Sequence, residues 1–297
     1  MTEKYLMANN LRLAYDEFGD SSHPAIVLIM GLGTQMIAWP LPFCESLAEQ
    51  GFRVIRFDNR DIGLSQKIDT KRKVSILQII IKQRLRIPFH VPYRLRDMAK
   101  DTIGLIDALN LRKAHWVGAS MGGMIAQLLA AEYPERTLSL TSIMSTTGNP
   151  DLPKVSLKVS KQMINRPSVE NQEAYLKHAM ATWAIIGSPD YPPSKEDLSA
   201  KILNSLNRSY YPKGYLHQMA AIIENGDRRG VLRKIKAPTL VIHGKADVLV
   251  PVEGGIDTAE NIPNAELKLI SGMGHDLPKE LIPKFSRYIT QHIQKSA

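Results

Sequence analysis

The sequence predicts an α/β protein: a mostly parallel central sheet, helices on both faces, and an inserted helical cap. Three observations predict it. Short apolar runs rich in β-branched residues alternate with longer stretches of helical periodicity, as in a parallel sheet whose crossovers are helices. One stretch, from about Gly148 to Asn225, is rich in helix formers and Pro and has no convincing strand. The chain has 297 residues, enough for one large α/β core plus an insertion.

The elements follow in order. Tyr5 to Phe18 reads as an antiparallel hairpin at the sheet edge. Ala25–Met30, Arg53–Phe57, Ala114–Gly118, Leu138–Met144, Pro238–Ile242 and Glu266–Ile270 read as buried strands. Phe43–Gln50, Arg96–Leu109, Met121–Tyr133 and Asp276–Gln294 read as helices. Residues 1–147 and 226–297 then form the core. Residues 66–95 are an insertion within it, and 148–225 are the cap. There is no internal repeat and no low-complexity tract.

Composition bounds the function. A hydrophobic content of 44% and a charged content of 23% are those of a soluble globular protein. No apolar run reaches the ~20 residues of a membrane span. The first residues lack the basic start, apolar core and small-residue site of a signal peptide. Cys44 is the single cysteine, which excludes an intramolecular disulfide and a Cys-rich metal site. Together these favour a cytoplasmic protein. The net charge is +9, but between Lys67 and Arg96 stand nine basic residues and one acid, a local +8. The rest is nearly neutral, unlike a nucleic-acid binder with a basic face, so no nucleic-acid partner is expected.

The chemistry centres on Gly118-Ala119-Ser120-Met121-Gly122-Gly123, which follows a strand and opens a helix. In that setting a tight turn pushes the serine hydroxyl above the carboxyl end of the sheet. A phosphate loop would carry Lys after its last Gly, where this chain has Met124. A serine needs a base to take its proton. His275, in Ser271-Gly272-Met273-Gly274-His275, lies just after the last strand. His23 and His115 stand at strand entrances, the wrong end. His243 ends a strand and reads as a buried histidine bonded to nearby backbone. The imidazole needs an acid to fix its tautomer. Asp247 follows strand Pro238–Ile242, giving the chain order Ser, Asp, His. Asp257 and Asp276 are the alternatives. A tetrahedral intermediate needs two amide donors. Met121 supplies one, and the Met30-Gly31-Leu32-Gly33 loop the other, through Leu32, with Gly33 as the alternative.

Together with Asp58-Asn59-Arg60-Asp61-Ile62-Gly63-Leu64-Ser65, these motifs resemble the α/β-hydrolase superfamily over nearly the whole chain. The chain looks most like the branch with aclacinomycin methylesterase and related bacterial carboxylesterases, which similarly has Met-Gly where most relatives have His-Gly. The resemblance implies Ser120, Asp247 and His275 as catalytic triad, and the Leu32 and Met121 amides as oxyanion hole. It implies structural roles for Asp58 and Arg60. It argues against haloalkane dehalogenase and epoxide hydrolase chemistry, which uses an aspartate nucleophile. The expected function is a serine carboxylesterase acting on hydrophobic short- to medium-chain esters through an acyl-enzyme, with no metal or organic cofactor. The alternatives are a lipase or methylesterase on a bulky ester, perhydrolase or thioesterase activity of the same triad, and a non-catalytic binding protein.

Within the insertion, Val74 to Ile87 reads as an amphipathic helix. Val74, Ile76, Leu77, Ile80, Ile81, Leu85 and Ile87 share one broad face at ~100° per residue, and Ile79 and Arg84 break the pattern. Two readings follow: a surface helix packed on the cap with its charges solvated, or a lid that shields the acyl pocket and meets anionic lipid surfaces weakly. Met163, Met180, Trp183, Ile185 and Met219 are expected to line the pocket, with Trp39 as a further wall.

Overall fold

The computed structural model describes residues 3–70, 74–85, 87, 89–164, 169 and 171–295. The edge hairpin is β1 (Lys4–Ala8) and β2 (Leu11–Phe18), joined at Asn9 and Asn10. Both asparagines have positive φ, 49° and 62°, as a tight two-residue hairpin turn demands. Then come β3 (Ala25–Ile29), α1 (Leu41–Glu49), β4 (Arg53–Phe57), α2 (Ile76–Arg84), α3 (Leu95–Ala108), β5 (Ala114–Ala119), α4 (Met121–Glu132) and β6 (Thr137–Ile143). Four helices follow: α5 (Leu157–Ile164), α6 (Gln172–Ile186), α7 (Lys195–Arg208) and α8 (Pro212–Asn225). The chain re-enters the sheet through α9 (Arg229–Leu232), β7 (Thr239–Gly244), α10 (Val252–Glu260), β8 (Glu266–Ile270) and α11 (Ile282–Lys295).

The eight strands lie in the order β1-β2-β4-β3-β5-β6-β7-β8. β1 and β2 are antiparallel to their neighbours, and every pairing from β4 to β8 is parallel. Parallel strands bring the loops after β3, β5, β7 and β8 to one edge, where ligands bind in open α/β sheets. Apolar residues fill both faces. Leu105, Ile125 and Leu129 of α3 and α4 pack with Val27, Ile29 and Trp116. Phe43, Leu47, Phe285 and Ile289 of α1 and α11 pack with Ile26, Leu28 and Ile242. Among the described residues, no helix is long and apolar enough to cross a membrane.

Three expectations are corrected. The last helix starts at Ile282 rather than Asp276. Leu277 precedes Pro278, which disfavours helical backbone there, and a 3-10 turn at Lys279–Leu281 comes first. Trp39 is fully buried, stacked on Phe43 at 5.6 Å inside the core beneath the sheet, and walls no pocket. The insertion helix is shorter than Val74–Ile87. Ser75 caps its start by accepting from Gln78 N, and Lys82 and Arg84 sit favourably at its C-terminus. The expected apolar face is split: Val74 and Ile76 pack around Ile79, which is buried against Val91 and Ala220, while Leu77, Ile80, Ile81, Leu85 and Ile87 are exposed. α8 offers only a narrow seat there, Ala220 and Ile223, and Gln83 fastens the helix by donating to Ile223 O. Lys71 to Lys73, Arg86 and Pro88 lie outside the described residues.

His115 sits at the opposite end of the sheet from these loops, with Nδ1 2.8 Å from Ser139 Oγ. Burial, aided by the nearby His292, pushes its pKa down from 6.5 to about 4. Between pH 6.5 and 4 the unfolded chain therefore binds a proton that the folded chain refuses, so stability falls as pH falls. The expected loss is ~3 kcal/mol, complete by about pH 4. Urea midpoints measured across that range are expected to be much flatter in His115→Gln.

Candidate active site

Ser120 stands between β5 and α4 with φ 56° and ψ −120°, a conformation L-residues avoid. The surroundings enforce it. Ser120 N–H donates to Ile143 O (2.9 Å), and Ser145 Oγ–H donates to Ser120 O (2.8 Å). Gly122 is required by close approach, since a Cβ there would overlap Ile29 O. The turn so held half-exposes the Ser120 side chain at the carboxyl edge of the sheet.

The other expected residues converge on it. His275 Nε2 lies 3.0 Å from Ser120 Oγ, and His275 Nδ1 lies 2.7 Å from Asp247 Oδ2. Asp247 Oδ1 accepts from the amides of Leu249 (2.9 Å) and Val250 (2.8 Å). Burial acts to raise the Asp247 pKa, but the charge of His275 and hydrogen bonds from His243, His275 and Val250 N outweigh it. The carboxyl is held well below its ordinary value and is ionised at neutral pH. An ionised carboxylate only accepts, so Nδ1 of His275 is the protonated nitrogen and the Nε2 lone pair faces Ser120.

The alternatives have other partners. Asp276 bonds Ser188 Oγ, and Asp257 bonds Thr147, Asn149 (3.2 Å) and Asn261 (3.3 Å). His243 donates to Val250 O (2.9 Å), the backbone-bonded role expected of it. His275 is anchored from the helical segment: its amide donates to Ile186 O (2.7 Å), and Gly274 N donates to Ser188 Oγ (2.8 Å).

The loop after β3 lies over Ser120. A Cβ on Gly31 would stand 3.1 Å from Ser120 Cβ. Gly33, at φ 65°, turns the loop. Its amide donates to Gln218 Oε1 (2.8 Å), and Asn59 Nδ2 donates to Met30 O (2.9 Å). Among the described residues the Leu32 amide has no acceptor. Met121, first residue of α4, has an amide without an intrahelical partner, at the positive end of that helix. The Met121 amide directly follows Ser120, and the Leu32 amide follows Gly31, the residue that packs against Ser120. Asp58 accepts from Met36 N (2.7 Å) and Leu64 N (2.9 Å) and pairs with Arg208 (2.8 Å). Arg60 grips Asp101 with two bonds of 2.5 and 2.6 Å. Both brace the loops, as the resemblance implies.

Sequence reasoning missed Gln218, Ser145 and Ser188. Each acts through hydrogen bonds to backbone far away in sequence, which no local motif marks. Beside Gly33, a cavity of about 60 Å³ is lined by Tyr175, Tyr210, Tyr211 and Tyr215. Met163, Met180, Trp183, Ile185 and Met219 are half-buried, neither sealed in the core nor freely exposed.

Known proteins of this architecture resemble the chain along its length. Rhodomycin D methylesterase of Streptomyces sp. (strain C5) is 27% identical over 98% of both chains. This similarity agrees with the methylesterase branch drawn from the motifs. The 2-hydroxy-6-oxononadienedioate/2-hydroxy-6-oxononatrienedioate hydrolase of Paraburkholderia xenovorans (strain LB400) is 30% identical, covering 95% of this chain and 91% of its own. The solved enol-lactonase of Burkholderia xenovorans LB400 superposes with a TM-score of 0.75 at 24% identity, over 98% of this chain and all of its own, and so shares the fold. Residues 24–280 match the family model described as alpha/beta hydrolase fold, and the chain belongs to that family.

Proposed function

We propose that the chain is a serine carboxylesterase that cleaves hydrophobic short- to medium-chain esters through an acyl-enzyme. The observation that carries this reading is the continuous hydrogen-bonded chain Ser120–His275–Asp247. His275 Nε2 takes the Ser120 proton as Oγ attacks the ester carbonyl. The amides of Leu32 and Met121 hold the oxyanion, each worth roughly 10²–10³ in rate. His275 then protonates the departing alcohol. Water, deprotonated by the same nitrogen, attacks the acyl-enzyme, and that proton passes to Ser120 Oγ as its bond to the acyl carbon breaks and the acid leaves. Asp247 keeps its charge throughout and stabilises the imidazolium. Residues 148–225 act as the cap, with Met163, Met180, Trp183, Ile185 and Met219 forming the apolar wall for the acyl or alcohol group.

A fluorophosphonate probe tests the nucleophile. Stoichiometric labelling mapped to Ser120, together with turnover of p-nitrophenyl acetate through octanoate, is the expected result. Folded protein that takes no label and turns over none of the series overturns the reading. Gln218 serves as a positioning residue, since it fixes the Gly33 amide and, through Nε2, the Arg60 carbonyl (3.1 Å). Gln218→Met strands both groups and loosens the oxyanion loop. The expected loss is roughly 10- to 100-fold in kcat with KM little changed, because the lost contact matters most in the transition state. Steady-state kinetics on p-nitrophenyl butyrate checks the split.

A further inference from the structure

α2 turns its apolar side away from the protein. Leu77, Ile80, Ile81 and Leu85 recur at helical spacing and are 68%, 46%, 48% and 62% exposed. A helix of a globular protein ordinarily puts such a stripe against the core. Here Ile79 makes that contact from the opposite side, with Ile76 and Val74 packed around it. The outward stripe has no covering element among the described residues. Scattered exposed apolar residues are normal, but three on one side of a nine-residue helix, joined by Leu85 at its C-cap, form a patch.

The patch is set in positive charge. Lys82 and Arg84 are exposed on α2 and have no acidic partner among the described residues. The sequence places Lys71, Arg72 and Lys73 before the helix and Arg86 after it, with no acid between Lys71 and Arg96. Arg94 and Arg96 are paired, with Glu224 (2.9 Å) and Glu132 (2.7 Å). The pairing leaves the excess around α2.

We propose that α2 is an interfacial anchor that seats this chain on an anionic lipid bilayer. Leu77, Ile80, Ile81 and Leu85 enter the boundary between headgroups and acyl chains. Lys82 and Arg84 face the lipid phosphates, with Arg84 extending its charge from within the stripe to the headgroup level. Only an occupant that is apolar and negatively charged together satisfies both features. A second copy of this chain would cover the leucines, but a two-fold interface sets the two basic segments against each other. A nucleic acid would meet the cations and leave the leucines in water. α2 rests on α8, the helix whose Gln218 holds the oxyanion loop, so the anchor lies one helix from the site. The proposal stands independently of the reaction at Ser120.

Cosedimentation of the full chain with vesicles of phosphatidylglycerol and phosphatidylcholine (3:7) tests it, against vesicles of phosphatidylcholine alone. Binding to the anionic vesicles, weakened by salt and by removing the phosphatidylglycerol, is expected. Leu77→Ser with Ile81→Ser is expected to lower the partition coefficient at least tenfold. Lys82→Gln with Arg84→Gln is expected to lower it roughly 25-fold. All four positions are exposed, so both variants should keep wild-type turnover of soluble p-nitrophenyl butyrate. Wild-type protein that stays in the supernatant overturns the proposal, as does binding undiminished in the Leu77/Ile81 variant. A wild-type dimer that the same variant dissolves, read by light scattering without lipid, also overturns it in favour of a self-interface. Lipid binding without ester turnover would remove the esterase reading and leave the anchor.

Discussion

Ser120→Ala is expected to lower kcat on p-nitrophenyl butyrate by roughly 10⁴- to 10⁶-fold, about 5–8 kcal/mol of transition-state stabilisation. The residual rate would come from the oxyanion donors and binding alone. The fold should survive, because the turn around Ser120 is held through its backbone, by the amide donating to Ile143 O and the carbonyl accepting from Ser145 Oγ, not by the hydroxyl. A second substitution separates chemistry from strain. At φ 56° and ψ −120°, an L-residue costs ~1–3 kcal/mol relative to glycine, and alanine keeps that cost. Ser120→Gly relieves it and gives back ~0.4–1 kcal/mol through the freer unfolded chain. A net stabilisation of about 1 kcal/mol is therefore expected for an equally inactive protein. Chemical denaturation of the three proteins measures it. A Gly variant less stable than the Ala variant by about 0.4–1 kcal/mol, the entropy cost alone, would show that the nucleophile turn is unstrained.

Ser120, Asp247 and His275 were legible because each is tied to a local pattern at the end of a recognisable strand, and a parallel sheet carries strand ends to one edge. The central strands were legible for a related reason: short, largely apolar runs buried on both faces, such as Ala25–Ile29 and Arg53–Phe57, look the same in sequence as in structure. What escaped the sequence depends on what a segment meets. Gln218 is an ordinary helix residue 185 positions from the Gly33 amide it clamps. The periodicity of α2 correctly gave an apolar side but could not say which side a partner would take. Ile79, which broke the pattern, became the contact because α8 presents a small surface at Ala220. Trp39 stood close behind the oxyanion loop in sequence, yet it faces the α1 side of the sheet and belongs to the core.

Asp247→Asn is expected to lower kcat by about 10⁴-fold with little change in KM. The geometry makes the reason specific. Asp247 Oδ1 accepts two backbone amides, from Leu249 and Val250, so an asparagine must place its carbonyl oxygen there. Its NH₂ group then faces His275 Nδ1 at the position where Oδ2 stood 2.7 Å away. A donor at that point forces Nδ1 to accept and moves the imidazole proton to Nε2, against Ser120. The base would then point a proton at the hydroxyl it must deprotonate. The same substitution removes a carboxylate whose pKa is depressed in the folded state. That carboxylate contributes stability above its unfolded value of about 3.9, and the contribution fades as pH falls toward its lower folded value. Asp247→Asn should therefore flatten the loss of stability below about pH 4, in the same protein that has lost its turnover. Nitrogen-15 spectra of His275 can read the tautomer directly. A variant that retains protonated Nδ1 and still loses activity would mean that Asp247 acts through its charge rather than by setting the proton's position.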